Sequence, residues 1–237
     1  SYKAHRVAED VATGPDVEVV PDPLEAQVPI IRETLAALGI AIVGAPEHEA
    51  DDVIGTLAST ADMPVDVVTG DRDLFQVIDD ERAVRVVYTG RGMARLDVLD
   101  DAAVLARYGV HAAQYADLAA LRGDPSDGLP GVAGIGEKSA ARLLTQYGDL
   151  AGIRTAAADA STAMTASVRA KLIAAADYLD AAPTVVNVVR DLALPPFDAR
   201  LRPPDVAQQE ERARLAAEHG IGTALDRAAK ALGAVTG

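Results

Sequence analysis

Apolar residues first recur at helical spacing at Val28, Ile31, Leu35 and Leu38, behind an Asp22-Pro23-Leu24-Glu25 run that puts Asp at an N-cap, Pro at N1 and Glu at N3. Gly39 stands where a C-terminal cap belongs. Ile40–Val43 is a short apolar run, the pattern of a buried strand. A second helix is predicted from about Glu49 to Ala61, with Val53, Ile54, Leu57, Ala58 and Ala61 on its inner face. Val65–Thr69 predicts another buried strand, ending at Gly70-Asp71 and followed by a short helix carrying Leu74, Phe75 and Ile78. Val84–Tyr88 is the next strand, and Thr89-Gly90-Arg91-Gly92 a turn. Helices alternating with strands imply an α/β layer with a mainly parallel sheet.

Past about residue 97 the strand pattern gives way to Ala-rich helical segments at 101–108, 112–122, 137–147 and 166–181. A Gly- and Pro-rich loop, 123–136, separates two of them. Pro195-Pro196 and Pro203-Pro204 bracket an extended stretch before a final helix pair at about 205–218 and 222–233. The first twenty residues lack periodicity, carry the breaker pair Gly14-Pro15, and read as a loop or arm.

Composition narrows the function classes. The 237 residues are 49% hydrophobic and 24% charged, an ordinary globular balance. With no cysteine, disulfides, thiolate metal sites and cysteine nucleophiles are excluded. No run reaches the roughly 18 apolar residues of a membrane span and no signal peptide is visible, so a cytoplasmic protein without a membrane partner is expected. Aromatics are 3% and Trp is absent, so base stacking is not the main means of any nucleic-acid recognition. A net charge of −14 argues, at first sight, against phosphate as a ligand.

The placement of the acids changes that reading. Three groups fall at element boundaries: Glu49, Asp51 and Asp52 at a helix start; Asp71 and Asp73 just past the carboxyl end of a strand; Asp124 and Asp127 in the Gly/Pro loop. Taken singly, each group is also what a helix N-terminus or a capped turn requires. Strand carboxyl ends are where open α/β sheets bind ligands. Carboxylates gathered at one rim repel one another unless divalent cations intervene, and all-oxygen ligands favour Mg²⁺ or Mn²⁺. Two such ions can serve phosphoryl chemistry.

Gly131, Gly134 and Gly136 precede a helix that carries Lys138, Ser139 and Arg142. Glycines allow close approach of a phosphate, and the helix N-terminus offers N–H groups to an anion. Lys138 and Arg142, four apart, share a helix face. A Gly-x-Gly run alone is equally an ordinary helix-preceding turn, and without GKS or GKT it is not a P-loop.

In order and spacing, EADDVIGTLA, VVTGDRDLFQV and GDPSDGLPGVAGIGEKSAARLL resemble the 5′-nuclease family, which includes the 5′→3′ exonuclease domain of bacterial DNA polymerase I and stand-alone flap endonucleases. The likeness runs from Tyr2 to about residue 180. It implies an α/β fold with a PIN-like nuclease core, a helical arch, and a helix-3-turn-helix DNA-binding region. By motif, Glu49, Asp51, Asp71 and Asp73 would serve a first metal. Asp124 and Asp127 would serve a second, with Asp52 acting through water. Lys3 and Arg6 look like the arch-base segment that contacts the scissile phosphate. Gly131 to Ser139 resembles the loop where a monovalent cation such as K⁺ bridges backbone carbonyls and a DNA phosphate.

The domains expected are a remnant of the arch at 1–20, the metal-binding core at 21–105, the helix-3-turn-helix region at 106–182 and a C-terminal extension at 183–237. The family usually has Asn where this chain has Gly128, and carries an N-terminal strand with a further acidic ligand that this sequence does not include. The expected activity is metal-dependent hydrolysis of DNA at 5′ ends, flaps or branches by a monomer, in replication and repair. The alternatives are a branched-DNA-binding module without catalysis and a PIN-type ribonuclease. The final helices carry no polymerase-like sequence, which favours a stand-alone nuclease.

Overall fold

The computed structural model describes residues 22–236; Lys3, Arg6 and the whole 1–20 segment lie outside them. The described chain divides into two compact units, 48–192 and 22–47 with 193–236.

Helix α1 (Asp22–Glu25) and helix α2 (Gln27–Ala37) realise the first predicted segment, and Gly39 follows with φ +71°. Both belong to the smaller unit. Ile40–Val43 is not a strand; Ile42 is 46% exposed and the stretch is irregular. An apolar run becomes a strand only where a sheet edge pairs with it, and no described strand does so here.

In the larger unit, helix α3 (Ala50–Thr60) buries Val53, Gly55, Thr56 and Ala58. Strand β1 (Val65–Thr69) and strand β2 (Val84–Tyr88) have the predicted bounds and pair in parallel, Val65 opposite Val84 and Thr69 opposite Tyr88. A third strand, β3 (Asp97–Leu99), was not legible in the sequence; it pairs antiparallel with β2, Tyr88 opposite Asp97. The described sheet is thus mixed where a mainly parallel one was expected. Nor is β1 wholly buried: Val67 is covered but Val68 is 62% exposed. On its open face Asp66 takes a two-pronged hydrogen bond from Arg85 of β2, at 2.9 and 3.0 Å.

Helices follow: α4 (Asp101–Tyr108), α5 (Tyr115–Arg122), α6 (Glu137–Tyr147), α7 (Leu150–Ala158), α8 (Ala166–Ala174) and α9 (Ala176–Val186). Of these, α7 was missed, although Asp149 caps it by accepting from Gly152 N–H at 2.7 Å. Arg169 closes its other end, donating to the carbonyls of Ala156, Ala157 and Asp159. The predicted 166–181 helix is two, α8 and α9, parted at Ala175.

The core that fixes the rim of the sheet is aromatic. Leu74 and Phe75 in the 3-10 turn Asp73–Val77 are fully buried. The Phe75 ring meets Tyr88 at 5.3 Å and Tyr115 at 5.2 Å between centroids, both edge to face. The turn after β1 is pinned by its apolar side chains, with Asp71 exposed and Asp73 part-buried at the rim.

Residues 186–192 cross this unit without forming a strand, held by side chains. Buried Gln76 donates to Val186 O at 2.8 Å and accepts from Val188 N–H at 3.1 Å. A Cβ on Gly55 would lie 2.7 Å from Val188 Cγ2, so the helix has glycine where this segment passes. These bonds keep 186–192 with the larger unit, whereas the boundary expected from sequence fell at 183.

In the smaller unit, α2 packs with α10 (Val206–His219), which in turn packs on α11 (Gly222–Thr236), around Ala37, Leu38, Leu215 and Leu225. The first helix was expected in the 21–105 core; it belongs instead with these C-terminal helices.

Candidate active site

Asp73 enters the site from the turn after β1. Thr69 Oγ1 accepts from Asp71 N–H and Asp71 Oδ1 accepts from Asp73 N–H, each at 3.0 Å. With Leu74 and Phe75 anchored beneath, the Asp73 carboxyl is held at the carboxyl end of the sheet.

Asp124 and Asp127 come from a loop whose ends are paired. Asp124 N–H donates to Leu129 O at 3.0 Å and Leu129 N–H to Asp124 O at 2.9 Å, with a 3-10 turn, Pro125–Asp127, between them. Asp124 Oδ1 accepts from Ser126 N–H at 3.0 Å and from the Ser126 hydroxyl. Gly128 ends the turn at φ +70°, a conformation open to glycine and asparagine alike, so the departure from the family's Asn is neutral for the backbone. The loop is clamped from behind where Gly123 and Gly131 cross: a Cβ on Gly131 would lie 2.5 Å from Arg122 O.

These placements bring carboxylate oxygens of Asp73, Asp124 and Asp127 within 4.8 Å of one another, although Asp73 is some 50 residues away in sequence. The Asp73 carboxyl is pushed up to about 8, first by burial, then by its hydrogen bond and repulsion with Asp127 and the charges of Asp71 and Asp124. The repulsion that raises it is one that a bound cation would relieve. A cleft of about 270 Å³ opens beside it, lined by Asp71, Asp73, Asp124, Ser126 and Tyr88 among others.

The remaining predicted acids are placed differently. Glu49 and Asp52 form a capping box at the start of α3, with Glu49 N–H donating to Asp52 Oδ2 at 3.3 Å. The other Asp52 oxygen accepts from Val189 N–H at 2.9 Å, and His48 Nδ1 lies 3.3 Å from Oδ2. Asp51 is in the first turn of α3. Glu49, Asp51, Asp52 and Asp71 are not in the close cluster.

In the glycine loop, Gly136 is the N-cap of α6, and Ala140, Ala141, Leu143 and Leu144 form its buried face. Lys138 and Arg142 are exposed, and Arg142 Nη2 lies 3.5 Å from Ser139 Oγ. Two cations that sequence reasoning did not single out this way also act here. Lys171 of α8 donates to Gly134 O at 3.0 Å. It lines, with Ser139 and Arg142, a cavity of about 290 Å³ that has no acid in its wall. Arg122 donates to Asp124 Oδ2 at 3.2 Å and to Glu137 Oε2 at 3.1 Å. Its position directly before the Gly-Asp of the acid loop was the available signal.

An acid-lined rim at the end of a mixed α/β sheet is followed along the chain by a helical module entered through a glycine-rich loop. Two family models match in series: 5′-3′ exonuclease, N-terminal resolvase-like domain, over residues 1–109, and 5′-3′ exonuclease, C-terminal SAM fold, over residues 110–207. A Streptomyces coelicolor protein named 5′-3′ exonuclease is 55% identical over 96% of this chain and 75% of its own length. A Mycobacterium tuberculosis protein of the same name is 51% identical over 100% of this chain and 77% of its own. DNA polymerase I of Mycobacterium bovis is 47% identical over 55% of this chain and 14% of its own. The chain belongs to the 5′-3′ exonuclease family, and is a nuclease. Among solved structures, the catalytic core of Rad2 in complex with DNA substrate shares the fold, with TM-score 0.52 at 18% identity over 90% of this chain and 71% of that one. No described helix is long and apolar enough to cross a membrane.

Proposed function

We propose that the protein is a structure-specific 5′-nuclease that hydrolyses DNA phosphodiesters at 5′ ends and flaps, in replication and repair. The observation that carries this reading is the convergence of Asp73 with Asp124 and Asp127 at the carboxyl end of the sheet.

The donor set fits a hard divalent cation. It is all oxygen, and the carboxylates crowded around Asp73 raise its pKa through a repulsion that a cation would offset. Asp73, Asp124 and Asp127 would hold Mg²⁺ or Mn²⁺, with Asp71, Asp51 and Glu49 as further carboxylates toward a second ion. Bound there, such a cation supplies Lewis-acid polarisation of the phosphodiester and activation of water. Both Asp52 oxygens accept hydrogen bonds, from Glu49 N–H in the α3 cap and from Val189 N–H, so it would act on a metal through water.

The exposed face of α6, with Lys138, Ser139 and Arg142, and the loop residues Gly131, Gly134 and Gly136 would take the DNA backbone through helix N–H groups and two cations. K⁺ at this loop would meet Lys171, which already donates to Gly134 O. Lys3 and Arg6 would offset charge on the scissile phosphate. A monomer in the cytoplasm completes the reading, with the 106–182 region as its DNA-binding part.

The test is cleavage of a 5′-flap DNA by the wild-type protein and by Asp127→Asn, in Mg²⁺ and in Mn²⁺. The variant is expected to bind the flap as the wild type does and to lose at least about 10²-fold in rate, the scale of removing a metal-linked group. Equal turnover by the variant would overturn the assignment of the site. Cleavage of an RNA flap at the same rate as DNA would favour a ribonuclease instead.

A further inference from the structure

We infer that Arg122 is a positioning residue for the metal site: it fixes the Asp124 carboxylate and ties it to the first turn of α6. The inference rests on the reading above that Asp124 serves a metal.

Arg122 ends α5, and its side chain is only 17% exposed. Three of its donors are used in three directions. Nε donates to Gly123 O at 3.1 Å, Nη2 to Asp124 Oδ2 at 3.2 Å, and Nη1 to Glu137 Oε2 at 3.1 Å. A guanidinium is a rigid planar fork, so two carboxylates on different Nη atoms are held in a fixed relation, which a lysine ammonium on a flexible stem does not provide.

Asp124 is thereby gripped at both oxygens, Oδ2 by Arg122 and Oδ1 by Ser126. An ionised carboxylate has about four acceptor positions, so capacity for a cation remains while its rotation is stopped. This is the arrangement in which a neighbour sets the orientation of a ligand without touching the metal. An ion pair serving stability alone would gain little here, because desolvating a guanidinium offsets much of the attraction it makes.

The second arm matters for the same reason. Glu137 is the first residue of α6, beside Lys138 and Ser139 on the turn proposed to meet DNA phosphate. A bare carboxylate there would repel phosphate; paired with Arg122, its charge is offset. One side chain therefore fixes a metal carboxylate and neutralises an acid at the DNA-facing turn. Losing it should act mainly on metal use, and only secondarily on DNA affinity.

The test compares wild type, Arg122→Ala, Arg122→Lys, Glu137→Gln and the double variant Arg122→Ala/Glu137→Gln in the full-length protein. Mn²⁺ binding is measured by calorimetry, flap cleavage against Mg²⁺ concentration, and flap affinity in Ca²⁺. Arg122→Ala is expected to weaken Mn²⁺ binding and raise the Mg²⁺ needed for half-maximal cleavage by about 10–100-fold, with flap affinity changed less than about threefold. Arg122→Lys should fall between it and wild type. Glu137→Gln should shift the Mg²⁺ requirement by a smaller factor, and the double variant should be no worse than Arg122→Ala alone.

Unchanged Mn²⁺ binding in Arg122→Ala would overturn the inference. So would equal losses in metal and DNA affinity accompanied by a lowered melting temperature, which is the signature of a merely structural role. Should Arg122→Ala fail to fold, Glu137→Gln at its exposed position decides, and a wild-type Mg²⁺ requirement there counts against the link. Wild-type cleavage by Asp127→Asn would instead indict the site itself, whatever Arg122 does.

Discussion

Asp52 Oδ1 accepts a hydrogen bond from the Val189 N–H at 2.9 Å, joining the first turn of α3 to a chain segment 137 residues away. Its other oxygen accepts from Glu49 N–H. A residue whose motif marks it as a metal carboxylate is also, in this geometry, one of the side chains that hold residues 186–192, together with Gln76 and Thr56.

Asp52→Ala is therefore expected to act on stability. Losing a cap and leaving a part-buried amide unpaired costs about 1–3 kcal/mol, or a fall in melting temperature of several degrees for a chain of this size. The Mg²⁺ concentration for half-maximal cleavage should stay within about threefold of wild type, on the scale of RT ln 3. A large rise in that concentration with an unchanged melting temperature would return Asp52 to the metal site.

What was legible in the sequence was local. The bounds of β1, β2, α4 and α6 follow from apolar period and from caps such as Asp100, whose side chain accepts from Ala103 N–H at 2.8 Å. The acid groups at the strand end and in the Gly/Pro loop were legible for the same reason, since boundaries are set by turn residues. What escaped depends on distant partners. Ile40–Val43 has the composition of a strand, but no described strand pairs with it. β3 is three residues long, too short to show a period. The uses of Gln76 and Asp52 are fixed by Val186, Val188 and Val189, more than 100 residues on.

Asp73 gives a pH dependence with a definite sign. Its carboxyl is raised from the ordinary range near 4 to about 8 by burial and by Asp127, so the metal-free fold is favoured while the group is protonated. Metal-free stability should fall as pH rises from about 4 through about 8, as the unfolded chain gives up this proton more readily. Mg²⁺ should flatten that fall by supplying the missing charge. Asp73→Asn should melt higher than metal-free wild type at pH 8 and above, and should not cleave. A variant that melts lower than wild type at that pH would show that the carboxyl is not strained there.

Lys171 sits on the Gly134 carbonyl in a cavity without acids. Lys171→Met is expected to weaken flap binding in Ca²⁺ several-fold and to lower the slope of log affinity against log salt by about one. With the carbonyl freed, binding by the variant should gain a preference for K⁺ over Na⁺ that is weaker in wild type. An unchanged salt slope would place Lys171 outside the DNA contact.

Gly131 and Gly136 offer a contrast within one loop. Gly131 has φ +68°, and a Cβ there would lie 2.5 Å from Arg122 O, a backbone atom that cannot swing aside. Gly136 has φ −90° and nothing within 4 Å of its would-be Cβ. Gly131→Ala therefore combines a left-handed backbone with a clash against the clamp behind Asp124, and is expected to cost about 3 kcal/mol or more. Gly136→Ala should cost well under that, since a glycine N-cap is lost to a poorer one but no backbone must move, about 1 kcal/mol. Urea unfolding of the two variants measures the difference directly. Because Gly131 backs the acid loop, Gly131→Ala should also raise the Mg²⁺ requirement even at temperatures where it remains folded, whereas Gly136→Ala should leave that requirement unchanged. Equal destabilisation by the two would mean that the crossing of Gly123 and Gly131 does not constrain the loop.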